Sequence, residues 1–171
     1  MEFEENLDIV NEKGEVIGHA PRSVIHGNPS LMHRVIHVLV FNKDGKLLLQ
    51  KRSQNKDVAP GRWDTSVGGH VEMGEDIHIS CKREMHEELG IANCEPEYLY
   101  SYIHSNPYET ELVHTYRCTY EYPISFDNYE IDEIRFWSFD EIKEAMGKNI
   151  LSDNFENEFR TYLSYFQPPQ Q

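Results

Sequence analysis

Apolar and polar positions change period several times along the chain. Asp8-Ile9-Val10 is a short apolar stretch, Asn11 to Gly14 carries turn residues, and Glu15 to Gly18 returns. This predicts a small hairpin over about 7–25, with Ala20 to Ile25 as a helical turn or loop. Val35 to Phe41 is a nearly continuous apolar run, as in a strand covered on both faces. Asn42-Lys43-Asp44-Gly45 then turns the chain into a second strand, Lys46 to Lys51. Ser53 to Arg62 reads as a polar loop and Trp63 to Val67 as a short strand.

The period next becomes helical. Ile77, Cys81, Met85 and Leu89 recur every four residues and predict the buried stripe of a helix from about Asp76 to Leu89, closed by Gly90 as C-cap. Tyr98 to Ser105 and Leu112 to Tyr122 predict two strands. Alternation puts Tyr98, Tyr100 and Tyr102 on one face of the first, and His114, Tyr116, Cys118 and Tyr120 on one face of the second. Ile134 to Trp137 predicts a further strand. Ser138 and Glu141 have capping-box spacing before a helix from Phe139 to Met146. Phe155, Phe159, Tyr162 and Tyr165 or Phe166 mark a last helix over about 151–166. A strand-rich centre with helices outside it predicts the α/β class, and 171 residues fit a single domain.

Charge narrows the partners. Sixteen basic against 30 acidic residues give a net charge of −14, which argues against bulk nucleic-acid or membrane-surface binding. A local basic pocket for a phosphorylated small molecule stays compatible with that balance. Cys81, Cys94 and Cys118 form neither a disulfide framework nor a CxxC zinc site, and their usage fits a reducing cytoplasm. The acidic start M-E-F-E-E-N lacks the apolar region of a signal peptide, and no apolar run reaches membrane-spanning length. A homodimer through exposed strands or the aromatic C-terminal helix is left open.

The chemistry concentrates between Gly69 and Ile91, a stretch with six acidic residues. On a helix, Glu84, Glu87 and Glu88 share one face. Like charges so placed destabilise an isolated helix, so a basic partner such as Arg83 or a divalent cation must offset them. Oxygen-only ligands suit Mg2+ or Mn2+. Gly68, Gly69 and Gly74 let the backbone turn tightly or approach a ligand. A charged, solvent-facing helix is the plainer alternative.

The stretch resembles the Nudix box, G-x5-E-x7-R-E-U-x-E-E-x-G-U with U aliphatic. Gly69, Glu75, Arg83, Glu84, Glu87, Glu88 and Gly90 match every fixed position, and Met85 and Ile91 fill the apolar ones. The resemblance implies the Nudix fold, a mixed sheet sandwiched between helices. It also implies a metal-dependent hydrolase that cleaves a diphosphate linkage in a nucleoside diphosphate joined to some group X. Glu84, Glu87 and Glu88 would then hold metal and supply the base, without the base being assigned among them. Arg83 would orient these carboxylates, and Glu75 would pair with Arg83.

A narrower resemblance, to the type-I isopentenyl diphosphate isomerase family, spans roughly Leu7 to Trp137. It implies a metal site of three histidines and two glutamates at His26, His33, His70, Glu109 and Glu111, able to take Zn2+, Mn2+ or Mg2+. It further implies Arg52 and Lys56 as binders of the substrate diphosphate, and Glu88 as a holder of Mg2+ against it. The chain departs from that family at Gly68, which stands in S-V-G-G-H where the isomerase carries its essential cysteine. Glycine has no proton to give, and Cys81 on the helix stripe reads as buried packing. The intact box and the missing acid together favour hydrolysis. Isomerisation and a non-catalytic diphosphate sensor are the alternatives.

His19, His37, His78, His86, His104 and His114 read as ordinary surface or core histidines. Glu130 and Glu133 are weighed as additional ligands, with a plain surface position preferred. Tyr102, Tyr108 and Trp137 are weighed as stacking residues for a ring or as core.

Overall fold

The computed structural model describes residues 4–167. Nine strands and four helices occur among them, and backbone contacts group the chain into two compact units. Among the described residues, one unit takes 4–39 together with Val67–Cys118, and the other takes Val40–Ser66 and 119–167.

The first unit is built on β3 (Met32–Phe41), which runs on into the second unit at its end. β1 (Asn6–Val10) and β2 (Val16–Pro21) form the expected hairpin, and Ile9 pairs with His33 to attach β1 to β3. The short α1 (Arg22–Ile25) follows. On β3, Val35 to Val38 pair antiparallel with β6 (Val67–His70), register Val35 to His70. β8 (Thr110–Thr119) also pairs with β3, and β7 (Glu97–Ser105) with β8. The near-continuous apolar run is explained by this position: Val35, Ile36, Val38 and Leu39 are all buried.

α2 (Ile77–Leu89) packs on β6. Asp76 caps it, accepting from the Ile79 N–H at 3.1 Å, and Gly90 ends it at φ +65°. The Gly90 N–H donates to His86 O (2.9 Å) and the Ile91 N–H to Met85 O (3.2 Å), a hydrogen-bonded helix stop that suits glycine. Cys81, Met85 and Leu89 are buried as expected, whereas Ile77 in the first turn is only half-buried and Ser80 is buried instead. Cys81 is packing: burial pushes its thiol up to about 12.

The expected tyrosine face on β7 is broken. Tyr98 faces Tyr116 but Tyr100 faces Thr115, so Leu99 is an extra residue in the strand. A bulge of this kind shifts the alternation by one. Tyr98 is therefore 52% exposed while Tyr100 is 3% exposed.

In the second unit, β4 (Leu47–Arg52) pairs with β5 (Trp63–Asp64) and with β9 (Ile131–Trp137). The single strand expected at Trp63 to Val67 is thus two strands that serve different units. α3 (Phe139–Ala145) and α4 (Asp153–Phe166) complete this unit, and Phe155, Phe159 and Tyr162 fill its core from α4. Trp137 is buried with its ring 5.3 Å from that of Trp63, so it is core and offers no free stacking face. The α/β class is met: a mixed sheet with helices packed on its strands.

The capping box at α3 is complete. The Glu141 N–H donates to Ser138 Oγ (3.1 Å) and the Ser138 N–H to Glu141 Oε1 (3.0 Å). Ser138→Ala is expected to cost about 1 kcal/mol. In a chain of this size that lowers the melting midpoint by roughly 2–4 °C, readable by thermal denaturation, and an unchanged midpoint would contradict the cap's contribution.

Candidate active site and metal centre

Both candidate centres are assembled in the first unit. β6 runs into the loop that opens the box, and α2 brings the box carboxylates back over it. Arg83 is the hub. Its Nε and Nη2 donate to the two oxygens of Glu75 (2.8 and 3.0 Å), the paired fork geometry that suits a carboxylate. Nη1 donates to Glu84 (2.7 Å) and Glu87 (3.3 Å), and Nη2 also reaches the backbone O of His70 (3.1 Å). The expected Glu75–Arg83 pair and the orienting contacts of Arg83 are therefore present as geometry. The Gly68 N–H donates to Glu88 Oε2 at 3.2 Å.

The close approach of glycine is real at Gly69. A Cβ there would lie 2.3 Å from Glu84 Cδ and within 2.7 Å of both its oxygens. At the neighbouring departure, a Cβ at Gly68 would meet the His37 ring at 3.2 Å, a tight contact that a small ring shift relieves.

Electrostatics separates the box carboxylates. Hydrogen bonds from Arg83 hold Glu75 down to about 2. Glu84 is raised instead, chiefly by burial, with Arg83 working against it and a hydrogen bond to Glu88 present. Because the folded Glu75 value is depressed, its pairing with Arg83 contributes stability that is complete above the ordinary 4.5 and lost as pH falls toward about 2. The melting gap between the native chain and Glu75→Gln is expected to be widest near neutrality and to close over that acid range. A gap independent of pH would contradict it.

The second centre gathers all five residues expected there. His26 ends α1, His33 lies at the start of β3 with no exposed surface, and His70 ends β6. Glu109 precedes β8 and Glu111 lies within it. Donor atoms of His26, His33 and His70 lie within 4.8 Å of one another, as do those of His33, Glu109 and Glu111. The three rings stand 5.0–5.8 Å apart. Glu109 Oε2 is 3.3 Å from His26 Nε2, and Glu111 Oε2 is 3.6 Å from His33 Nε2. Neither approach completes a hydrogen bond of normal length and geometry, and His26 Nε2 and both nitrogens of His33 are buried atoms left without one.

Burial lowers His26, with Arg22 and His33 adding to it, and lowers His70 to about 4. Burial raises Glu109, with Glu111 beside it. Burial acts to raise Glu111 too, yet the facing His33, His37 and His70 outweigh it and hold it below the ordinary value. Orphaned imidazole nitrogens converging with carboxylates form a donor set that fits a divalent cation. His70 joins the two centres, its ring in this cluster and its carbonyl on Arg83.

Arg52 and Lys56 are in the second unit, where Arg52 pairs with Asp64 (3.2 Å) and Lys56 with Glu130. Glu130 and Glu133 are exposed surface residues, as preferred. Tyr108 is 73% exposed and Tyr102 half-buried.

Sequence reasoning missed three contributors. His37 follows His33 on the same strand face, so a period of two could have found it. Glu5 stands 3.5 Å from His70 Nδ1, and Asp8 accepts from the Gly74 N–H at 3.0 Å. Both depend on β1 docking beside β3, which no local pattern reveals.

The NUDIX domain family model matches residues 31–157. The chain is 32% identical over 171 residues to an isopentenyl-diphosphate Delta-isomerase of Streptomyces avermitilis, covering 95% of this chain and 83% of that protein. It is 43% identical over 86 residues to the Nudix hydrolase YfcD of Escherichia coli K12, covering 50% of this chain and 47% of that one, so the match spans about half of this relative. Among solved structures it resembles DR0079 of Deinococcus radiodurans, with TM-score 0.75 and 26% identity over 92% of this chain and 99% of that one. A MutT protein of Methanosarcina mazei shares the fold, with TM-score 0.65 and 22% identity over 80% and 94%. The family model, matched over most of the chain, establishes that the chain belongs to the NUDIX domain family.

Proposed function

We propose that this chain is a single Nudix domain that hydrolyses the diphosphate linkage of a nucleoside diphosphate joined to a group X. The observation that carries the reading is the box network itself, in which Arg83 ties Glu75, Glu84 and Glu87 together while Glu88 sits on the Gly68 N–H. Glu84, Glu87 and Glu88 would hold Mg2+ or Mn2+. The cation would polarise the diphosphate and neutralise charge that builds on its oxygens. The chain's own part is to place the carboxylates, with one of the three accepting the proton of the attacking water. Water oxygen bonds to phosphorus, the bridging P–O bond breaks, and two phosphate esters, or an ester and phosphate, leave. Arg83 acts as a positioning residue, since its donors are engaged by carboxylates and by His70 O. Arg52 and Lys56 would act as phosphate binders, each exchanging its present carboxylate partner, Asp64 or Glu130, for a phosphate group. His26, His33, His70, Glu109 and Glu111 would hold a second cation, Zn2+, Mn2+ or Mg2+. The three thiols, none in a disulfide, are consistent with a reducing cytoplasm.

The test is to strip the protein of metal, restore Mg2+ or Mn2+, and offer nucleoside di- and triphosphates, nucleotide sugars, dinucleoside polyphosphates, dinucleotide cofactors and isopentenyl diphosphate. Cation-dependent cleavage at a diphosphate is expected, and its products name X. Metal binding without turnover of any compound would overturn the reading.

A second reading, isomerisation of isopentenyl diphosphate, is favoured by the assembled His/Glu cluster and by the long match to the Streptomyces isomerase. Gly68 opposes it. Uncleaved, isomerised product with deuterium taken up from solvent would establish it, and absence of exchange would end it.

A further inference from the structure

β1 lies outside the residues matched by the family model, yet it reaches the loop that opens the box. Asp8 is 8% exposed. Its Oδ2 accepts from Arg34 Nη2 at 2.8 Å and from the Gly74 N–H at 3.0 Å. Arg34 also holds the start of the same loop, because its carbonyl accepts the Val71 N–H at 3.1 Å. Gly74 has φ +75° and directly precedes Glu75. Glu75 takes the Arg83 fork, and Arg83 in turn reaches Glu84 and Glu87.

We propose that Asp8 is a positioning residue of the Nudix box. Its buried carboxylate, fixed by Arg34, sets the position of Gly74, and through Glu75 and Arg83 it sets where Glu84 and Glu87 stand. The inference rests on the hydrolase reading of the box. The second carboxylate of this segment, Glu5, lies against His70, so the N-terminal hairpin attends both centres. A carboxylate with two charge-reinforced or backbone donors in a buried site is a rigid support; partners bonded directly to metal ligands tune affinity by about 10–100-fold, and Asp8, acting through Glu75 and Arg83, falls at the lower end of that range.

The experiment uses the full chain and Mn2+ alone, following free Mn2+ by electron paramagnetic resonance alongside steady-state kinetics and thermal melts. The relevant Mn2+ is the fraction that Glu88→Gln removes. Asp8→Ala is expected to weaken that fraction about tenfold and to lower kcat with little change in KM. Asp8→Asn keeps an oxygen for Gly74 but loses the charge facing Arg34, and is expected to weaken it severalfold. In a Glu75→Gln background, Asp8→Asn should have no further effect, because its influence passes through Glu75. Native-like Mn2+ binding by either folded Asp8 variant, or equal losses with and without Glu75, would overturn the proposal. If native protein binds Mn2+ but turns over no diphosphate, the hydrolase reading fails while the Mn2+ comparison still decides the part played by Asp8.

Discussion

Glu88→Gln is expected to lower kcat by about 10²–10⁴-fold while leaving the melting midpoint level or slightly raised. The amide keeps an oxygen that can accept the Gly68 N–H, now at 3.2 Å from Glu88 Oε2, so the contact between α2 and β6 survives. The negative charge is lost, and with it the ability to take a proton from water or to serve as an anionic ligand. Removing one of three like charges on a single helix face also relieves repulsion. Activity and stability therefore move in opposite directions or independently, which separates a chemical role from a structural one. The readout is kcat at saturating Mg2+ together with a thermal melt. Full activity would remove Glu88 from the chemistry, and joint collapse of both readouts would make it a structural residue.

Gly69→Ala is the second large effect. A Cβ at position 69 would fall 2.3 Å from Glu84 Cδ, far inside contact distance. The obstructing atoms are the end of a flexible side chain, so Glu84 swings aside and the fold tolerates the change. The cost falls on geometry: Glu84 gives up its 2.7 Å hydrogen bond from Arg83 and leaves the face it shares with Glu88. Misplacement of a reacting group by about 1 Å can cost about 10²-fold in rate. A loss of that order is expected with only a small shift in melting midpoint. Wild-type turnover in the alanine variant would mean that Glu84 is not needed where it stands.

Local pattern carried much of this molecule and failed where assembly decides. The capping box at Ser138, the stop at Gly90 and the Cys81-Met85-Leu89 stripe depend on a few neighbouring residues, and all were legible. The bulge at Leu99 was not, because one extra residue leaves no mark on a tyrosine-rich strand. The division of Trp63 to Val67 into β5 and β6 was not legible either, since each pairs with a different distant strand. The shared face of Glu84, Glu87 and Glu88 was readable because its spacing is helical, and Gly69, Glu75 and the role of Arg83 came with the resemblance to the family motif. The His/Glu cluster was reached only through a family resemblance. Its five residues come from the end of α1, β3, β6 and the β7–β8 segment, and only the folded chain brings their donor atoms together, in two groups of three that share His33. Asp8 and Glu5 stayed hidden for the same reason.

The most direct test of the central claim is single turnover in water enriched in oxygen-18, with a cleaved diphosphate substrate, with Mg2+ and then with chelator. Mass spectrometry should find one labelled oxygen on one phosphate product in the presence of Mg2+, and no product with chelator. Product that carries no label, label that appears regardless of cation, or substrate that is rearranged without cleavage would contradict hydrolysis by this box.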